Sequence, residues 1–418
     1  MYIKRAIEES ILKISETFPV LLVTGPRQVG KTTMLKRLSE ESRSYVSLDD
    51  PDIRSMARND PALFMQRFTP PVLIDEIQYA PQILPYIKMS VDKSGKKGDF
   101  WLTGSQAFHM MKNVSESLAG RVGIVQLLGL SGSEIDAIPS EPFTTSPERL
   151  MLRLKQTQHK GLIEIYERIF RGAFPALYEE EFPPDLSDFY RSYINTYLQR
   201  DVRDLSQVAD ETSFHNFMII VAARTARPVI YEELAKDVGI SQPTAKKWLS
   251  VLVSSGLVAL VQPYSNNVLK RAVKMPLVHF LDTGLCAYLL KWGNYEILER
   301  GAMSGAFFES WVFSEIYKSY LNAGKDAPLF YYRDKEKREI DLLIFENGTL
   351  YPIEIKKSAS PGKEATKHFK AIDPVTKPEI FGELDQYKIE IGNGAVVCLA
   401  SDLLPIDSKN WSVPAWLI

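Results

Sequence analysis

Residues 19–33 read PVLLVTGPRQVGKTT, and this stretch decides the fold of the first part of the chain. Its apolar half, Pro19–Gly25, predicts a buried strand, and we expect a helix to begin near Gly30. The residues between them fit the pattern GxxxxGK followed by Ser or Thr. A glycine-rich loop between a strand and a helix directs backbone N–H groups toward phosphate oxygens. The stretch therefore predicts a phosphate-binding loop within an α/β sheet.

The pattern also assigns chemistry to individual loop residues. Lys31 is expected to reach the β- and γ-phosphates of a nucleotide, and Thr32 to ligate Mg²⁺. The full set expected around a bound nucleotide is Gly25, Pro26, Arg27, Gln28, Val29, Gly30, Lys31, Thr32, Thr33 and Asp75. An ordinary glycine turn is the alternative, and the flanking strand and helix patterns argue against it.

Short apolar runs alternate with amphipathic stretches over the first 130 residues. The further strands predicted from these runs are Tyr45–Leu48, Val72–Ile74, Phe100–Thr103 and Val122–Leu128. Continuous apolar runs are typical of parallel strands that are covered on both faces. The pattern indicates a parallel sheet with helices on either side.

An acidic pair ends one of these strands, in the segment Pro71–Gln78, which reads PVLIDEIQ. Asp75 and Glu76 therefore lie at the carboxyl edge of the sheet, where α/β proteins bind their ligands. We expect Asp75 to hold Mg²⁺ directly or through water. Glu76 would orient and polarise the water that attacks the γ-phosphate.

Further catalytic candidates follow the next strand and begin the one after it. Ser105 or Gln106 follows the strand FWLTG and would hold the attacking water or the γ-phosphate, although a polar turn is the plainer interpretation. Arg121 begins the next strand, and its guanidinium would neutralise phosphate charge within the same subunit or across a subunit interface. A plain surface arginine is the alternative.

The segments GPRQVGKTT, SLDDPDIR, LIDEIQYAP, FWLTGSQ and SLAGRVGIVQLLGLSGSE resemble, in this order, a large prokaryotic family of AAA-type P-loop ATPases of uncharacterised role. Members of that family continue into a C-terminal domain of unknown function. The later segments RIFRGAFPALYE and SYINTYLQRDVRDL also resemble that family. The resemblance implies ATP and Mg²⁺ as cofactors. It also implies a polar sensor at Ser105, a finger or sensor at Arg121, and a lid motif near the nucleotide at Gly172–Pro175.

The middle of the chain predicts a winged helix. Tyr231–Val238 and Ser241–Val253 are two helix patterns separated by a glycine turn, and Leu257–Gln262 with Val268–Lys274 would form the hairpin wing. Cations that would contact nucleic-acid phosphates are Lys246, Lys247, Lys270, Arg271 and Lys274. A module for packing or protein contacts is the alternative.

The last part carries a possible nuclease core. Glu309 lies on a predicted helix, Asp341 on a strand, and Glu354 and Lys356 two residues apart on the next strand. This order resembles the PD-(D/E)xK nuclease core. The resemblance makes Glu309, Asp341 and Glu354 the metal ligands and Lys356 the base that positions water. Carboxylates and lysines on a half-exposed sheet, or a fold kept as an inert platform, are the alternatives.

Composition places limits on the class of protein. The 418 residues carry 50 basic and 52 acidic side chains and 45% hydrophobic residues, typical of a globular chain. No apolar run is long enough to span a membrane, and Met1–Phe18 lacks the apolar core of a signal peptide. Two distant cysteines indicate neither zinc nor a disulfide framework. We expect a cytoplasmic protein with no membrane partner.

The sequence thus predicts an α/β protein with four parts. They are a P-loop ATPase core (1–130), a helical lid and connector (131–225), a winged helix (226–300) and a restriction-endonuclease-like α/β domain (301–418). The favoured function is an ATPase that couples nucleotide state to DNA or RNA binding, with metal-dependent phosphodiester cleavage possible. The alternative is an ATP-dependent switch or scaffold for protein partners, including copies of itself, with an inert C-terminal domain.

Overall fold

A computed structural model describes residues 2–104, 117–181, 183–197, 211–265, 275–373 and 389–418. Within these ranges the chain folds around two sheets, one of five strands and one of ten. None of the described helices is both long and apolar enough to cross a bilayer. Cys286 and Cys398 are both buried and form no disulfide.

The first sheet is entirely parallel, as the sequence predicts. Its strands are β1 (Val20–Thr24), β2 (Ser44–Ser47), β3 (Val72–Asp75), β4 (Phe100–Gly104) and β5 (Val122–Gln126). They lie in the order β2-β3-β4-β1-β5, and Val20 pairs with both Phe100 and Val122. β1, β3 and β4 are buried throughout, which explains their continuous apolar sequences.

Five helices accompany this sheet. They are α1 (Glu8–Thr17), α2 (Lys31–Leu38), α3 (Pro51–Asn59), α4 (Pro61–Arg67) and α5 (Leu84–Ser94). α2 begins directly after Gly30, whose positive φ ends the loop that follows β1. The predicted strand–loop–helix unit is confirmed.

A helical region follows the first sheet. Its helices are α6 (Gly132–Ile135), α7 (Pro147–Leu154), α8 (Leu162–Arg171), α9 (Leu186–Tyr197) and α10 (Glu211–Ala223). α8 ends at Gly172, and a 3₁₀ turn over Pro175–Tyr178 leads on toward α9.

The two predicted helices of the middle region are confirmed as α11 (Tyr231–Val238) and α12 (Gln242–Ser254). Gly239 ends α11 with a positive φ, and the Ser241 hydroxyl caps α12 by accepting the Thr244 N–H. The strands here are β6 (Arg227–Pro228), β7 (Val258–Pro263) and β8 (Leu277–Phe280). The predicted second wing strand, Val268–Lys274, lies outside the described residues, so the winged helix stays a prediction.

Helices α13 (Thr283–Leu289), α14 (Tyr295–Arg300) and α15 (Ser304–Asn322) lead into the last region. Its strands are β9 (Leu329–Arg333), β10 (Glu339–Glu346), β11 (Thr349–Lys356), β12 (Glu390–Ile391), β13 (Gly394–Cys398), β14 (Leu404–Pro405) and β15 (Asn410–Pro414). β10 and β11, the two strands expected to carry Asp341, Glu354 and Lys356, form a hairpin, whose turn residues Asn347 and Gly348 both have positive φ.

The second sheet joins the middle and last regions. Its order is β14-β15-β13-β11-β10-β9-β7-β8-β6, with β12 beside β11. The join is the parallel pair β7–β9, in which Gln262 is opposite Phe330. One sheet therefore crosses the boundary expected near residue 300, a feature that the sequence does not predict.

Candidate nucleotide site and carboxylate cluster

The loop after β1 has the backbone of a phosphate cradle. Gly25, Gln28 and Gly30 all have positive φ, and turns with such residues commonly form anion-binding concavities of backbone N–H groups. A Cβ on Gly25 would lie 1.9 Å from the Leu127 carbonyl oxygen, so only glycine fits there. The Lys31 ammonium is buried and donates to the carbonyls of Gly25 (2.9 Å) and Pro26 (2.7 Å).

Asp75 lies beside this loop, as predicted, at the end of β3. Its carboxylate accepts hydrogen bonds from the hydroxyls of Thr32 (Oγ1 to Oδ1, 2.8 Å) and Thr103. The Tyr45 hydroxyl also donates to it, at 3.1 Å from Oδ2. Burial and the nearby Asp75 charge raise the pKa of Tyr45 to about 12, so this hydroxyl keeps its proton at neutral pH.

Thr32 and Asp75 therefore bring two oxygen ligands together at the edge of the sheet. Hard oxygen ligands are those that Mg²⁺ prefers, and Mg²⁺ commonly takes only one or two protein ligands beside substrate phosphates. The donor set fits a magnesium ion held between the loop and a nucleotide.

Glu76 is the next residue and adopts the left-handed conformation, with φ +58°. Its N–H donates to Thr103 Oγ1 at 3.2 Å, and its carboxylate accepts from the Gln78 side chain. These contacts hold Glu76 at the carboxyl edge, next to Asp75. Thr103 and Tyr45 were missed by the sequence analysis, because their role depends on β2, β3 and β4 being neighbours.

Arg121 is not brought to this loop. It precedes β5, and its carbonyl accepts the Val20 N–H, so it lies at the amino edge of the sheet, opposite the phosphate loop. Its guanidinium pairs with Asp92 on α5, and both side chains are partly exposed. No phosphate at the loop of the same subunit is within its reach. Ser105 and Gln106 lie outside the described residues.

The stretch Gly172–Pro175 does lie near the phosphate loop. Ala173 and Phe174 line a crevice together with Pro26 and Val29 of the loop. The Asp282 carboxylate accepts the Ala173 N–H at 2.7 Å and fixes this stretch. This position is compatible with the lid role that the resemblance implies.

A second cluster of candidate residues forms on the β10–β11 hairpin. Glu354 Oε1 lies 2.6 Å from the Lys356 ammonium, and Asp341 Oδ2 lies 4.0 Å from the same ammonium. Asp341 also accepts the Ile355 N–H at 2.8 Å. The other oxygen of Glu354, Oε2, is buried and has no hydrogen-bond partner. An orphaned buried carboxylate oxygen is costly unless a ligand or cation serves it.

Glu309 on α15 faces the same cluster. Burial, and next the charge of Asp341, raise the pKa of Glu309 well above its usual value. Burial and the Glu354 charge raise the pKa of Asp341 to about 7, and burial also raises the pKa of Glu354. Proximity of like charges disfavours ionisation of all three. Within the described ranges, no three histidine, cysteine, aspartate or glutamate side chains are grouped so that they could hold a metal ion.

Lys246 and Lys247 are exposed on α12, where a nucleic-acid contact was expected. The three cations expected on the wing, Lys270, Arg271 and Lys274, lie outside the described residues. The described part of the chain thus shows two of the five cations.

Three family models match this sequence. Residues 17–136 match an AAA domain, residues 163–296 match a domain of unknown function (DUF8612), and residues 304–418 match another domain of unknown function (DUF4143). The first match spans the phosphate loop, Asp75 and Glu76. The third spans all four residues of the carboxylate cluster.

Two relatives by sequence and one solved structure are similar to most of this chain. Uncharacterised proteins of Mycobacterium tuberculosis and Mycobacterium bovis are each 29% identical over 344 residues, covering 82% of this chain and 71% of theirs. A Walker-type ATPase of Pyrococcus abyssi is similar in structure, at 14% identity and a TM-score of 0.42, over 69% of this chain and 96% of that one. A TM-score this low does not establish a shared overall fold. Residues 17–136 thus match the AAA domain model and contain the phosphate loop with its Thr32–Asp75 contact.

Proposed function

We propose that this protein binds ATP with Mg²⁺ at the loop after β1 and hydrolyses it. The observation that carries the proposal is the contact between Thr32 and Asp75, 2.8 Å, beside the buried ammonium of Lys31. A threonine hydroxyl, a carboxylate and an ammonium at a loop of this sequence and backbone suit a magnesium-bound polyphosphate.

Each of these residues has a distinct role in the proposed reaction. Lys31 exchanges its two carbonyl acceptors for β- and γ-phosphate oxygens and neutralises the charge that develops there. Glu76 orients the attacking water and accepts its proton. The magnesium ion, held by Thr32 and Asp75, supplies further charge neutralisation.

Steady-state ATP hydrolysis tests this proposal. Lys31→Ala and Glu76→Gln should each lower kcat by at least about a hundredfold, the scale seen when one charge-stabilising or acid–base group is lost. Lys97 is an exposed lysine at the edge of the sheet opposite the phosphate loop. The variant Lys97→Ala is the matched control and should leave the rate of hydrolysis unchanged. Hydrolysis by Lys31→Ala at the wild-type rate would contradict the assignment.

A second candidate function belongs to the carboxylate cluster: metal-dependent cleavage of phosphodiesters. The orphaned Glu354 Oε2, with Asp341 and Glu309 nearby, favours it, because a divalent cation would relieve the repulsion among these groups. Lys356 would then hold the attacking water. The proposed role of ATP would be to control when the cluster meets nucleic acid.

Nicking of supercoiled plasmid in Mg²⁺ or Mn²⁺ tests this second function. Wild type should cut, whereas Asp341→Asn and Glu354→Gln should not. Glu346→Gln, at the far end of the same hairpin, is the matched control. If wild type fails to cut with or without ATP, the cluster is inert, and a nucleotide-dependent switch for protein partners is the remaining proposal.

Nucleic-acid binding has its own test. Substituting both Lys246 and Lys247 with Ala should weaken binding of duplex DNA and flatten its salt dependence, because fewer counterions would be released. An unchanged salt slope would exclude α12 as the contact surface.

A further inference from the structure

Arg5 stands outside the region matched by the AAA domain, yet its side chain reaches the phosphate loop. It is only 3% exposed. Its Nη1 donates to the carbonyl of Val29 at 2.8 Å, and its Nη2 donates to the carbonyl of Leu128 at 2.8 Å. The guanidinium thus ties the phosphate loop to the turn that follows β5.

The Arg5 guanidinium is itself held in place. Its Nε donates to Glu134 at 2.9 Å, and this ion pair is almost completely shielded from solvent. The backbone N–H of Arg5 donates to Glu8, and the next N–H, that of Ala6, donates to Glu134. Glu134 is fixed in turn by the N–H of Ser131 at 2.7 Å. Because all three nitrogens of the guanidinium donate hydrogen bonds, the Val29 carbonyl has little freedom to turn.

The orientation of the Val29 carbonyl determines where the Gly30 N–H points. The two groups belong to one planar trans peptide unit and therefore point in opposite directions. Arg5 holds the Val29 carbonyl toward its guanidinium, so the Gly30 N–H points away from the guanidinium. Gly30 has φ +89°, and because glycine tolerates a wide range of φ, this peptide could rotate at low cost without an anchor.

We propose that Arg5 is a positioning residue for nucleotide binding, which holds the Val29–Gly30 peptide with its N–H directed at the phosphates. This inference rests on the proposed ATP site and adds a residue that the phosphate-loop motif does not contain. Glu134 supports it by keeping the guanidinium in place. Neither residue touches the nucleotide.

The affinity for ATP and the KM and kcat of hydrolysis test the role of Arg5. Arg5→Ala should raise Kd and KM for ATP about ten- to a hundredfold, as expected for a lost charge-assisted hydrogen bond. Its kcat at saturating ATP should stay within about threefold of wild type, because Lys31 and Glu76 remain. A merely structural role would instead reduce the folded fraction, lowering apparent kcat and leaving KM unchanged.

Arg43 offers a matched control. Its side chain is only 4% exposed and also donates to a backbone carbonyl, that of Gly98 at 2.8 Å, but it lies at the amino edge of the sheet. Arg43→Ala should lower thermal stability and leave KM for ATP unchanged. Millimolar guanidinium should restore KM in Arg5→Ala, by filling the vacated site, and should have no effect on Arg43→Ala.

Arg5→Lys is the second variant, to be used if Arg5→Ala does not fold. It keeps a charge beside Glu134 but lacks the planar group that donates to three acceptors. Suppose that wild type binds ATP and Lys31→Ala does not. A wild-type KM in the folded Arg5 variants would then overturn the role of Arg5 and leave the nucleotide site in place. Absence of ATP binding by wild type would overturn the nucleotide site itself.

Discussion

At the scale of single residues, His279 on β8 shows how burial sets a protonation state. Its ring stacks on Phe313 with centroids 4.4 Å apart, and its Nδ1 lies 3.2 Å from the Ser310 hydroxyl. Burial lowers the pKa of His279 to about 3, so the folded protein holds it neutral. The unfolded chain protonates the same ring near pH 6.5.

This difference predicts an acid-sensitive stability. Because the unfolded state binds the proton first, stability is present above pH 6.5 and is lost as pH falls toward 3. Between pH 7 and pH 5 the free energy of unfolding should drop by about 2 kcal/mol on account of His279. Urea unfolding of wild type and His279→Gln at both pH values measures this, and equal losses in the two proteins would refute it.

At the scale of elements, Asp282 connects three helices. It caps α13 by accepting the Leu285 N–H at 2.7 Å, and it also accepts the Ala173 N–H after α8 and the Tyr190 hydroxyl from α9. The cap follows from the local sequence, because aspartate is a favoured residue at this position. The two other contacts do not follow from it, because they join segments about a hundred residues apart.

Because of these extra contacts, we expect removal of the Asp282 side chain to destabilise the protein more than removal of an ordinary helix cap. Asp282→Ala should destabilise the protein by about 3 kcal/mol or more, since two buried donors lose their acceptor in addition to the cap itself. Asn294→Ala removes a simple cap from α14 and should cost only about 1 kcal/mol. Thermal or urea unfolding of both variants compares them, and similar losses would show that the extra contacts contribute nothing.

Local sequence patterns predict the parts of the structure that depend on neighbouring residues. The strand–loop–helix around Lys31, the turn at Asn347 and Gly348 and the cap at Ser241 all follow from spacing and residue type. What local patterns could not give is the order of strands. The contact of Thr103 with Asp75 and the β7–β9 pair arise only once distant strands are adjacent.

At the scale of the whole molecule, a buried polar contact joins the first sheet's domain to the helix that carries Glu309. Glu315 on α15 accepts the Gly132 N–H at the start of α6, 2.7 Å away. Lys318, one turn later on α15, donates to the Leu130 carbonyl at 2.8 Å and pairs with Glu315. The same short helix, α6, holds Glu134 and through it Arg5.

This junction predicts a strong dependence of stability on the ion pair. Lys318→Met should cost about 3–5 kcal/mol, because it leaves the Glu315 charge buried without its partner. Adding Glu315→Gln should recover part of the loss. A double-mutant cycle in urea measures the coupling, and strictly additive losses would show that the two residues act independently.

Calorimetric titration of ATP measures whether the loop after β1 and Asp75 form a site for ATP and Mg²⁺. Wild type should bind ATP more tightly with Mg²⁺ than without it, Asp75→Asn should lose that difference, and Lys31→Ala should lose binding. Equal ATP affinity in wild type and Lys31→Ala, or no binding by wild type, would show that this loop is not the ATP site.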